Sequence, residues 1–296
     1  MQLPKVFTTN IEATYGSEGN RWLQDLPKKL NYLSDLWNFR LIHPISHLTF
    51  SFVAVVEFTS NGQRAILKMA PPNGPIPSEI RWLSHFNGIT PSVILSESNL
   101  GAFLMEECKP GTSLKQLTEG GDDESATIIV CSVIRKLLDC QRTDATFKHL
   151  SELIPDLMAL KGLLDPGTLS KATGLFKELT QEQSEDILLH GDLHHDNIIG
   201  HGTSWKVIDP HGYMGDPASE IGAIIYNPIE YLTKDRKTLI KLLDARLSIA
   251  EEYLPFDKKK IRAWSFCKTV LSAAWNAKNF KDLCELQLEL AKKIDT

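Results

Sequence analysis

The sequence predicts an α+β protein of two lobes: a β-rich N-terminal lobe with an antiparallel sheet and one helix, then an α-helical C-terminal lobe. Three observations predict it. Apolar spacing changes from helical to strand-like near residue 40 and returns to helical beyond Cys108. A chain of 296 residues is longer than most single cores sustain. The strands expected in the second half are few and short. The predicted lobes are residues 1–107, of which 1–40 form a helical extension, and residues 108–296. A thin linker is expected between them, with a cleft as the ligand site.

The extension reads as helix because Trp22, Leu23, Leu26, Leu30, Leu33, Leu36 and Trp37 recur at helical spacing. Leu41–Ile45 and Phe50–Phe58 are rich in β-favouring residues, and Asn61-Gly62 is a hairpin turn before Ala65–Met69. After the Pro-rich stretch 70–77, Ser78 is the expected N-cap of a helix carrying Ile80, Leu83 and Phe86 and ending at Gly88. Ser92–Leu95 and Gly101–Met105 complete a five-stranded sheet. Beyond it Asp123 is the expected cap of a long helix through Leu138. Asp186–Leu189 with Ile198–Ile199, and Trp205–Ile208, are the expected strands of this half, and helical spacing resumes after Pro217.

Composition narrows the function classes. The net charge of −5, with no basic patch, disfavours a nucleic-acid partner. No apolar run reaches the roughly 20 residues that span a bilayer, so no membrane partner is expected. Five cysteines without a CxxC pair suggest free thiols in a reducing compartment, and Met1–Phe7 has no signal-peptide pattern. A cytoplasmic location is the expectation.

The chemistry is concentrated in Ile187–Ile199, which contains His190-Gly-Asp192-Leu-His194-His195-Asp196-Asn197, and in Ile208-Asp209-Pro210. Phosphoryl transfer needs a carboxylate at the acceptor hydroxyl, and an amide with a second carboxylate to hold magnesium. Asp192 is the candidate base, and Asn197 and Asp209 are the candidate metal ligands. Oxygen ligands suit a hard cation that keeps several waters. An isolated His-Gly-Asp would more simply be a turn cap; the full string with its later Asp favours catalysis. The His190, Asp192, His194, His195 and Asp196 cluster also admits a dinuclear hydrolase, which would leave Lys68 unexplained.

Lys68 in Ala65–Met69, followed by Glu79 in the next helix, matches a strand lysine held by a helix carboxylate at the nucleotide phosphates. No glycine-rich loop precedes it. Ser46 and Thr49 stand where a phosphate-covering hairpin belongs, and Glu106 to Cys108 stand where backbone groups would read adenine. ATP and Mg²⁺ are therefore the expected cofactors. A protein kinase is disfavoured, because the chain has Asp209-Pro-His-Gly212 and no activation segment. A pseudokinase interaction module is disfavoured because all four functional positions are filled.

Together these residues resemble the aminoglycoside phosphotransferase branch of the protein-kinase-like fold, with most likeness to the streptomycin 6-phosphotransferase and hydroxyurea phosphotransferase group. The motifs that carry the resemblance are His190–Asn197, Ile208-Asp209-Pro210, Gly215-Asp216-Pro217-Ala-Ser-Glu220 and the tail Ala263–Trp275. The resemblance runs from about Leu41 to Lys278. It implies that Asp192 is the base, that Asn197 and Asp209 hold Mg²⁺, that Lys68 contacts ATP, and that Asp216 and Glu220 brace the catalytic loop. The expected acceptor is a small molecule, first an aminoglycoside of the streptomycin type, alternatively a sugar or amino alcohol. Asp216, Glu230 and Trp275 are candidates for its surface, with Trp264 and Asn276 beside them; core packing is the competing role for both tryptophans.

Overall fold

The computed structural model describes residues 3–46, 48–71, 73–181, 186–229, 236–277, 281–294 and 296. The chain divides into two compact units, Met1–Gly111 and Thr112–Thr296.

In the first unit, α1 (Lys5–Trp37) is broken at Gly16, whose φ of 56° and ψ of −131° are not helical. Its apolar stripe, Phe7, Ile11, Trp22, Leu26, Leu30, Leu33 and Trp37, shares one core with Phe52, Ala54, Val56, Leu67 and Leu104 of the sheet. The expected extension is thus built into the unit's own core. Strands β1 (Phe39–Pro44), β2 (Phe52–Phe58), β3 (Arg64–Met69), β4 (Val93–Glu97) and β5 (Ala102–Glu106) form an antiparallel sheet in the order β1-β2-β3-β5-β4. Lys68 therefore lies on the central strand, between Val53 and Phe103.

Helix α2 (Ile76–His85) begins before the expected cap. Ser78 sits inside it, its hydroxyl donating back to Pro75 O at 2.7 Å. Pro77 does not delay the start, because a first-turn residue needs no intrahelical N–H bond.

Strand β6 (Pro110–Ser113) carries the chain across the division. The second unit then has α3 (Lys115–Glu119), α4 (Asp123–Cys140), a 3-10 segment Leu150–Leu160, and α5 (Pro166–Gln181). Strands β7 (Ile187–Leu189), β8 (Ile198–His201), β9 (Ser204–Val207) and β10 (Tyr213–Gly215) follow, and β10 was not expected. A 3-10 segment Pro217–Ile224, α6 (Arg236–Tyr253), α7 (Lys258–Asn276) and α8 (Lys281–Ala291) complete it. β7 pairs antiparallel with β10, and β8 with β9.

The α4 cap is Asp122, which accepts the Ser125 N–H, rather than Asp123. Asp123 is buried, where it accepts the Thr118 hydroxyl at 2.8 Å and the Arg246 guanidinium at 2.5 and 2.9 Å. A residue engaged by two inward partners is no longer available to the helix end. The α7 core runs through Ile261, Trp264, Phe266, Val270 and Leu271, and no described helix is long and apolar enough to cross a membrane.

Candidate active site

The catalytic string leaves β7 and is stitched to the chain around Asp209. The His190 ring is fully buried, with Nε2 at 2.9 Å from Ile208 O and Nδ1 accepting the Asp192 N–H at 3.2 Å. The carbonyl can only accept, so Nε2 carries the proton and the ring is neutral. Burial pulls its pKa down to about 4, in agreement with that tautomer. The N–H groups of His211 and Gly212 both donate to His190 O at 3.0 Å, and Ile208 N–H donates to Asn197 O at 3.0 Å. One imidazole thus ties the Asp192 loop to the strand end that leads to Asp209.

Gly191 has a φ of +84°, and a Cβ there would lie 2.6 Å from the Tyr213 ring. Only glycine fits on both counts. Glu220, from the second 3-10 segment, accepts the N–H groups of His190 and Gly191. Burial raises its carboxyl to about 7, against the pull of Lys268 and of those two donors. This is the bracing role that the resemblance implied for Glu220.

Asp192 faces His194 Nε2 at 3.5 Å and His211 Nε2 at 3.8 Å. Burial pushes its carboxyl up, but His194, His211 and Lys268 outweigh burial and hold it well below the usual carboxylate range. The same pairing raises His194 despite its burial.

Asn197 Nδ2 donates to Asp192 O at 2.9 Å, which fixes the amide with Oδ1 as its other polar atom. Asp209 is exposed, at φ +60°, a conformation Asp tolerates at a cost of order 1 kcal/mol. An amide oxygen and a carboxylate on adjoining backbone suit a hard cation such as Mg²⁺. Among the described residues no three His, Cys, Asp or Glu side chains are arranged to hold a metal, so the dinuclear hydrolase reading lacks its ligand set. Asp196 instead pairs with Lys115 at 2.8 Å. Both ring nitrogens of His195 are buried with no hydrogen-bond partner among the described residues.

In the first unit, Lys68 Nζ meets both Glu79 carboxylate oxygens at 2.8 Å, with both side chains buried. Ser46 and Thr49 are exposed between β1 and β2. The Glu106 N–H donates to Ser92 O at 2.9 Å, and its carboxylate accepts the Ser92 N–H at 3.3 Å. Both groups serve the β4–β5 edge. Cys108 is a buried free thiol.

The acceptor candidates separate. Asp216 does not reach an acceptor surface. It is buried, accepting Ala218 N–H at 3.0 Å, Trp264 Nε1–H at 2.9 Å and the Lys260 ammonium at 2.8 Å. Helix capping and the α7 core absorb both oxygens, and Trp264 is accordingly a core residue. Asn276 donates to Gln287 Oε1 at 2.9 Å, tying α7 to α8. Glu230 lies outside the described residues.

Trp275 is 36% exposed, its ring centroid 6.3 Å from His211 and its Nε1–H donating to Asp156 Oδ2 at 2.9 Å. His211 also meets Tyr213 at 6.4 Å. Burial raises the Tyr213 phenol, and the charges of Asp156, Asp192 and Glu152 push the same way. The structure therefore joins Asp192, His211, Trp275 and Asp156 in one array. His211, Tyr213 and Asp156 were missed in the sequence reading. His211 could have been found, two positions after Asp209; Asp156, in an unremarkable apolar stretch, gave no signal.

The comparisons agree with this geometry. The model of a family described as "Aminoglycoside/hydroxyurea antibiotic resistance kinase" matches residues 45–279. The chain is 30% identical over 245 residues to streptomycin 3″-kinase of Klebsiella pneumoniae, covering 80% of this chain and 89% of that protein. It is 22% identical over 285 residues to streptomycin 6-kinase of Streptomyces glaucescens, covering 93% and 91%. Among solved structures, a choline/ethanolamine kinase family protein from Mesorhizobium loti has a TM-score of 0.63 at 14% identity, covering 93% of this chain and 95% of that one. Choline kinase from Streptococcus pneumoniae has a TM-score of 0.59 at 15% identity, covering 91% and 98%. Those two likenesses establish the protein-kinase-like fold. The chain belongs to the aminoglycoside/hydroxyurea antibiotic resistance kinase family and is a phosphotransferase with an alcohol group as acceptor.

Proposed function

We propose that this enzyme uses ATP and Mg²⁺ to phosphorylate a hydroxyl of a small cationic polyol, first an aminoglycoside of the streptomycin type. The observation that carries the acceptor reading is the array from Asp192 through His211 and Trp275 to Asp156. It sets a carboxylate and aromatic faces beside the candidate base, the chemistry that receives an amine or guanidinium. Two curated relatives named for streptomycin support the same choice.

The roles follow from the groups. Asp192, ionised at neutral pH, accepts a hydrogen bond from the acceptor hydroxyl and orients its oxygen toward the γ-phosphorus. A carboxylate held so low is a weak base. Its main service is orientation, with the proton arriving as the new O–P bond forms. Asn197 Oδ1 and the Asp209 carboxylate would hold magnesium, which neutralises phosphate charge when bound. Lys68, locked by Glu79, would offer its ammonium to the nucleotide phosphates.

The second reading, an amino-alcohol kinase, draws on the same array, because a small ammonium group also suits Trp275 and Asp156. A coupled ADP-release assay over streptomycin, other aminoglycosides, hydroxyurea, sugars and amino alcohols separates the two. Phosphorus NMR of the product assigns the hydroxyl. Asp156→Asn should raise the acceptor KM about tenfold while leaving the ATP KM unchanged, since a charge-assisted hydrogen bond is roughly twice a neutral one. Turnover confined to amino alcohols favours the second reading, and an unchanged acceptor KM removes Asp156 from the site.

A further inference from the structure

Lys268 lies in the middle of α7, 3% exposed, in the run Phe266-Cys267-Lys268-Thr269-Val270. Among the described residues its ammonium makes one hydrogen bond, to Gly191 O at 2.7 Å. The Asp192 and Glu220 charges bear on it electrostatically, and burial still lowers its pKa. A buried ammonium with a single neutral acceptor is a poor choice for stability alone. An apolar side chain of the same length would fill the space without the desolvation cost. Such breaches of packing logic are expected where function sets the residue.

What the ammonium holds is specific. The peptide unit between Gly191 and Asp192 has its carbonyl on Lys268 and its N–H on His190 Nδ1. The preceding unit has its N–H on Glu220 and its carbonyl under the N–H groups of His211 and Gly212. Two successive peptide planes leading into Asp192 are thus pinned at both ends. Lys268 is the only one of these anchors that comes from α7. Its passage also depends on Gly222, where a Cβ would overlap Lys268 Cβ and Cγ.

We propose that Lys268 is a positioning residue: it fixes the Gly191–Asp192 peptide plane, and through it the direction of the Asp192 carboxylate, with Gly222 as the notch that admits it. The kinetic part rests on the phosphotransferase reading above; the structural part does not. A 1 Å misplacement of a catalytic group can cost about 10²-fold in rate.

The experiment compares wild type, Lys268→Met, Lys268→Arg and Gly222→Ala by steady-state kinetics, thermal unfolding and amide hydrogen exchange. Lys268→Met should lose about 10- to 100-fold in kcat with both KM values within about threefold, and exchange should quicken at residues 190–193. Lys268→Arg keeps a donor and should restore part of kcat. Gly222→Ala should copy the kcat loss with Lys268 in place. A folded Lys268→Met with wild-type kcat and unchanged exchange at 190–193 overturns the proposal. So does a fall in Tm with kcat retained, which is the mark of mere packing. If Lys268→Met does not fold, the Arg and Gly222→Ala variants decide by the same two readouts. Wild type inert toward every acceptor refutes the phosphotransferase reading, while exchange at 190–193 still decides the anchoring role.

Discussion

His190 shows how a single side chain can organise a site without touching substrate. Its neutral ring donates to Ile208 O and accepts from Asp192 N–H, and the bond from Asp192 would be lost on protonation of Nδ1. Burial lowers the folded pKa from 6.5 to about 4, so the unfolded chain takes up the proton first as pH falls. Stability due to neutral His190 is complete above about pH 6.5 and is lost as pH falls through about 4, a change of about 3 kcal/mol. Glutamine does not titrate. The stability gap between wild type and His190→Gln should therefore narrow by about that amount between pH 7 and pH 4, read by urea unfolding at each pH. Parallel curves would show that His190 is not buried neutral. At this scale much was legible: Asp192 and Asn197 stand in one short string and Asp209 in the strand end that follows, so the candidates were local in sequence. Asp156 and Lys268 were not, since their meaning arises from what the chain folds against, and Asp216 was misread because its cap and its Trp264 bond are tertiary facts.

At the scale of elements, the strands of the sheet were read to within about two residues, because period-two runs and the Asn61-Gly62 turn are local signals. Both helix caps were misplaced. Ser78 lost to the permissive first turn with its prolines, and Asp123 to its buried partnership with Arg246. Strand β10 escaped because three residues carry no periodicity, and only pairing with β7 defines it. The helical stretch 1–40 was recognised, but its status was not. Leu26 is fully buried in the core that α1 shares with the sheet carrying Lys68. Leu26→Ala should accordingly destabilise the first unit by about 2–5 kcal/mol, seen as a lowered urea midpoint with the m-value unchanged. A loss under 0.5 kcal/mol would mean that α1 is an appendage after all.

For the whole molecule, the candidate residues are divided between the two units. The first holds a buried pair between Lys68 on the central strand and Glu79 on α2. The second holds Asp192, Asn197 and Asp209 together with the array of Asp156, His211 and Trp275. The family match covers residues 45–279, so the whole of α1 lies outside the matched region, although the first unit's core includes it. Fold class and reaction type were legible from the sequence because the functional strings are local. The acceptor was not, because the residues proposed to receive it, Asp156, His211 and Trp275, are gathered only by tertiary structure. The most direct measurement of the central claim is phosphoryl transfer from ATP to streptomycin, with wild type set against Asp192→Asn and nucleotide binding measured alongside. The wild type should add one phosphoryl group in a magnesium-dependent reaction, and the variant should lose roughly 10²–10⁴ in rate while binding nucleotide normally. A variant that phosphorylates at the wild-type rate would contradict the assignment of Asp192 and the mechanism built on it.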